Sequence, residues 1–140
     1  MVRNPLIIAL VVAIAAGGYY WYQDRDTRYA RQVMDCMYAG SLEPIKDTLN
    51  PETRKAMDNP RVRAQLPQAG AQLKQAYGEL KKLEFKSEAP VVGVYAQAFG
   101  KDAVQKTWTA TSDKGTFDWM LFVDKDGKLL TMAPGKLTPL

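Results

Sequence analysis

Asp124 and Asp126 stand two positions apart in "LFVDKDGKLLTMAPG", residues 121–135, a spacing that suits either cation binding or a change of chain direction. A calcium EF loop needs oxygen ligands at several spaced positions and a closing Glu. Here two acids are followed directly by an apolar run. Asp-Gly between alternating apolar segments is, by contrast, a strong hairpin signal, with Gly127 supplying the left-handed position. Asp124 and Asp126 therefore read as turn residues.

The chain has no histidine and a single cysteine, Cys36. Zinc sites draw on several His or Cys ligands, and a Ser–His or Cys–His nucleophile needs an imidazole. Both chemistries are excluded by count, and no metal or cofactor is implied. Cys36 cannot form an internal disulfide; within "VMDCMY" it reads as a small buried apolar group, with thiol-linked dimerisation the lesser reading.

One acid remains with chemical potential. Asp118 lies inside a strand pattern between Phe117 and Trp119. A carboxyl desolvated by aromatic neighbours has a raised pKa and can serve as a base. Tyr95, Trp108, Asp118 and Trp119 are thus the candidates for a ligand pocket. The plainer reading is an Asp pointing outward from a half-exposed strand. Along 117–123, Phe117, Trp119, Leu121 and Val123 share one face, while Met120 and Phe122 lie on the other. That strand is either central in a strongly curved sheet or meets a partner through Met120 and Phe122. The competing account is that both residues line the domain's own core.

The elements that position these residues follow from periodicity. Tyr29, Ala30, Val33, Met34, Met37 and Tyr38 recur at helical spacing before Gly40. Ser41 can cap a short helix containing Pro44, Ile45 and Leu49, and "NPE" at 50–52 and "NP" at 59–60 are further helix starts. The longest helix is expected over 67–83, with Ala69, Leu73, Ala76, Tyr77, Leu80 and Leu83 as its apolar stripe and Gly78 as a close-packing point. The period then changes to two, predicting strands near 84–88, 91–99, 103–112, 116–124 and 128–133. Helices first and strands second predict an α+β domain, with helices packed on a curved antiparallel meander.

Residues 1–22 read differently. Arg3 precedes an uncharged run from Asn4 to Gln23 that ends in Tyr19, Tyr20, Trp21 and Tyr22, rings suited to a membrane interface. The 18 residues from Pro5 to Tyr22 span about 27 Å as helix, close to the ~30 Å hydrocarbon core. This predicts a single-pass signal-anchor with a cytoplasmic N-terminus. The domain at 23–140 is then extracytoplasmic, and periplasmic at the inner membrane of a Gram-negative cell. "AIA" at 13–15 also permits signal cleavage and secretion. The net charge of +4 falls only to +3 past residue 22, with both signs interleaved, so nucleic-acid binding has little support.

"YGELKKLEF" leading into a meander closed by "DGKLLTMAPG" resembles small, uncharacterised, envelope-anchored members of the NTF2-like (cystatin-like) superfamily. Gly78, Leu80 and Lys81 match the G-x-L-K segment, and Asp126, Gly127 and Lys128 the D-G-K turn. The resemblance covers about residues 29–135 and implies a cone whose curved sheet and helices enclose a cavity. It carries over no catalytic residue. The first functional expectation is a non-catalytic membrane-held module that binds a protein or envelope partner, with a homodimer also compatible. The alternatives are a small-molecule or enzymatic pocket in the sheet's concavity, and a membrane-held immunity or inhibitor protein.

Overall fold

The computed structural model describes residues 24–140; the anchor expected over 1–22, with Tyr19, Tyr20, Trp21 and Tyr22, lies outside the described residues. Among the described residues, no helix is long and apolar enough to cross a membrane. The fold is α+β, with helices and an antiparallel sheet. Its first helix, α1 (24–39), buries the face bearing Ala30, Val33, Met34 and Cys36. Burial pushes the Cys36 thiol pKa up, and the neighbouring Asp35 carboxylate adds to the effect.

A 3₁₀ turn, η1 (Glu43–Thr48), follows, with Leu42, Ile45 and Leu49 packed into the same core. Asn50 caps α2 (Pro51–Met57) by accepting from Glu52 N at 3.0 Å, and Asn59 caps α3 (Pro60–Tyr77) by accepting from Arg61 N at 2.9 Å. In both helices a proline fills the first position, where its missing N–H costs nothing.

α3 starts and ends earlier than periodicity predicts. Its inward row is Val62, Leu66, Gly70, Leu73 and Tyr77, while Ala69 and Ala76 are exposed. Gly78 terminates it at φ +86, a left-handed geometry that a side chain resists. Leu80 and Leu83, expected on the helix, belong to β1 (Leu80–Pro90). The remaining long strands are β2 (Val104–Ser112), β3 (Gly115–Val123) and β4 (Leu129–Pro134), paired antiparallel in sequence order. A two-residue β5 (Thr138–Pro139) joins β3 beside Gly115 and Thr116.

The strand expected over 91–99 is instead a short helix, α4 (Val94–Phe99), between Gly93 at φ +66 and Gly100 at φ +95. Its apolar residues do not alternate, and Tyr95 and Phe99 stack one helical turn apart, ring centroids 6.2 Å. α4 is also the exception to helices on one face. α1, η1 and the end of α3 cover Trp108, Phe117, Trp119 and Leu121, while the segment around α4 covers Phe122 on the reverse side.

Pro90, Val104, Val123 and Leu129 pair in succession and mark one end of the sheet. The 91–103 segment and the 124–128 turn both project beyond that row. α1 begins at the same end, where Asp26 meets Lys106. It finishes at the opposite end, where Tyr38 OH donates to Gly78 O at 2.8 Å.

Candidate functional site

The first turn of α1 lies against β2. Lys106 Nζ donates to Asp26 Oδ2 at 2.9 Å, and the two side chains are only 15% and 16% exposed. Glu88 of β1 stands 3.8 Å from the same ammonium. One residue along α1, Thr27 Oγ1 accepts from Trp108 Nε1 at 2.9 Å. Two residues further on, the Tyr29 hydroxyl meets that of Thr48 at 2.7 Å. Thr48 also donates to Ile45 O, which leaves Tyr29 as the donor of that pair. Burial holds the Tyr29 phenol above its ordinary pKa.

Between these groups and the β3–β4 turn opens a cleft of about 290 Å³. Arg25, Asp26, Tyr29, Lys106, Trp108 and Lys128 line it. Trp108, Leu121 and Val123 lie buried beneath it, and its rim carries charges of both signs. A wall of aromatic and aliphatic surface with a few fixed polar groups is the usual composition of a ligand site. A second hollow of about 350 Å³ lies between η1, α2 and α3. Exposed pairs such as Lys46–Glu43 and Arg63–Asp58 ring it, and such pairs contribute little energy or fixed geometry.

The 124–128 turn is built as its sequence suggests. Asp124 Oδ1 accepts from Asp126 N at 2.8 Å and from Lys128 N at 2.9 Å, and Gly127 takes φ +75. Asp124 Oδ2 accepts from Asn50 Nδ2 at 2.7 Å, tying the turn to the start of α2. Partial burial alone would raise the Asp124 pKa. The hydrogen bonds from Asn50 and from the Lys128 and Asp126 amides outweigh it, so the net shift is downward.

The four expected pocket residues do not converge. Trp108 is fully buried and lies beneath the cleft. Trp119 is its cross-strand neighbour but lies under α1, its Nε1 donating to Ala30 O at 3.1 Å. Asp118 sits on the reverse face, with Lys86 Nζ at 3.0 Å from both its oxygens and a side chain 39% exposed. Tyr95 is on α4, 55% exposed, with its ring 5.8 Å from that of Phe122. Met120 is half-buried, and Phe122 is 5% exposed beneath Phe99.

Asp26, Thr27, Tyr29 and Lys106 were not expected in the site. Lys106 carried a legible signal, as a lone charge in the row Val104, Lys106, Trp108, Ala110 on a buried face. A charge there needs a partner. Asp26 carried none, because 80 positions separate it from Lys106. No protein-family model matches the chain, and neither a curated protein nor a solved structure matches it.

Proposed function

We propose that the chain is a membrane-tethered extracytoplasmic module that binds an envelope partner without transforming it, through the cleft between α1 and β2. The observation that carries this reading is the mostly buried Asp26–Lys106 pair beside Trp108. Charges held in fixed geometry beside the half-buried Tyr29 ring suit recognition of a segment bearing both polar and apolar groups. The uncharged run from Asn4 to Gln23, closed by Tyr19, Tyr20, Trp21 and Tyr22, supports the tether. The NTF2-like (cystatin-like) reading rests on the sequence resemblance of the Gly78–Lys81 segment and the Asp126–Lys128 turn.

Site-directed photo-crosslinking tests the binding end. A photoreactive residue replacing exposed Asp126 at the cleft rim should give a discrete adduct in intact cells, whereas one replacing Lys136 at the opposite end should not. Equal labelling at both positions, or none at Asp126, would remove the proposal.

A second reading rests on the cleft volume of about 290 Å³, near the lower end of the ~300–1,000 Å³ typical of small-molecule sites. A small-molecule ligand would then enter between Tyr29, Lys106 and Lys128, above the buried Trp108, and a change in tryptophan fluorescence on adding candidate metabolites would reveal it.

A further inference from the structure

The 91–100 segment, "VVGVYAQAFG", carries no charge across ten residues in a chain that is 24% charged. Part of it faces inward. Val91 is 6% exposed and joins Ala103 and Phe122 in a small second core, with Ala96 and Phe99 packed against it. The rest faces outward: Val92 is 75% exposed, Val94 72% and Tyr95 55%. A Cβ added at Gly93 or at Gly100 would meet nothing within 4 Å, so this knob projects from the body of the domain. Among the described residues, the other large apolar side chain so exposed is Leu140, the last of the chain.

We infer that this knob rests in the outer surface of the same bilayer that holds the N-terminal segment. The inference depends on the tether proposed above. Its basis is position: α1 enters beside Lys106 and Trp108, at the sheet end beyond which 91–103 projects. In the sequence the uncharged run extends to Gln23, immediately before the described residues. The knob therefore shares the end of the sheet at which the described part of α1 starts, on the opposite face from α1. Two valines and a tyrosine suit the interfacial zone, where aliphatic groups leave water while a phenol keeps its hydrogen bonds.

Three side chains would not retain a free protein on a vesicle. A tether makes docking intramolecular, at an effective concentration of roughly millimolar order for a short link, so weak contacts suffice. Lys101 and Asp102, both exposed, follow the knob directly and end its uncharged run.

The test uses the full-length chain in vesicles of phosphatidylethanolamine and phosphatidylglycerol, on a Cys36→Ala background. A nitrobenzoxadiazole label is placed on Val94→Cys or on exposed Lys136→Cys at the far end of the sheet. Lipids carrying a nitroxide near the headgroup should quench the label at position 94 severalfold more than the label at position 136. Equal quenching of the two labels overturns the inference while leaving the tether intact. A wash with alkaline carbonate reports the tether separately: release of the protein from floated vesicles refutes the anchor, and the docking with it.

Discussion

Trp108 on β2 and Trp119 on β3 face each other in register, and each indole donates its N–H into α1. Trp108 reaches Thr27 Oγ1 at 2.9 Å and Trp119 reaches Ala30 O at 3.1 Å. Both rings are essentially solvent-free, so neither N–H can turn to water. Thr27→Val keeps the shape of the side chain and removes the acceptor. It should cost about 1–3 kcal/mol, the penalty for an unpaired buried donor. Urea denaturation followed by tryptophan fluorescence measures it, and an unchanged midpoint would show that the bond contributes nothing.

The Asp26–Lys106 pair should respond asymmetrically. Lys106→Met takes the cation from a carboxylate that is only 16% exposed and should cost about 3 kcal/mol, as breaking mostly buried pairs does. Asp26→Asn leaves Lys106 with Glu88 at 3.8 Å and should cost less. The double variant Asp26→Asn with Lys106→Met removes both charges and should recover part of the loss. A double-mutant cycle on urea midpoints decides it, and strict additivity would mean that the two groups are not coupled.

Asp124 links stability to acid. Its folded pKa lies below the ordinary value because the Asn50 amide and the Lys128 and Asp126 N–H groups outweigh the opposing effect of burial. A depressed carboxyl contributes stability in full above its unfolded pKa of about 3.9, and loses it as pH falls through the lower folded value. Stability should therefore decline between about pH 5 and pH 2, and Asp124→Asn should flatten that part of the profile. Urea midpoints across this range test the sign, and a variant with the parent slope would rule Asp124 out as its source.

Local signals were legible where local chemistry decides the structure. The Asn50 and Asn59 caps, the apolar face of α1 and the Asp124–Gly127 turn each depend on residues within a few positions. The end of α3 was not legible, because Leu73, Tyr77, Leu80 and Leu83 fit a helical stripe. Only the left-handed φ of Gly78 interrupts it. α4 was lost for the opposite reason: valines and aromatics in 91–99 favour a strand by propensity, whereas packing of Phe99 and Ala96 on Phe122 selects a helix. The cleft was half legible. Trp108 and the misplaced charge of Lys106 mark the strand side, but the α1 side is supplied by residues with no distinguishing pattern.

Gly70 gives a prediction whose sign differs from that of helix propensity alone. In the middle of an exposed helix, Gly→Ala gains up to ~1 kcal/mol. In α3, however, Gly70 is buried against the end of α1, where a Cβ would collide with Met37 O and come within 3.0 Å of Tyr38 O. Both are backbone atoms and cannot rotate aside, so α1 and α3 would have to separate. Overpacking of this kind costs about 1–3 kcal/mol, which exceeds the propensity gain. Gly70→Ala should therefore lower the urea midpoint, while Gln72→Ala, exposed on the same helix, should stay within about 0.5 kcal/mol of the parent. A stabilised Gly70→Ala variant would mean that the two helices are not in backbone contact at this crossing.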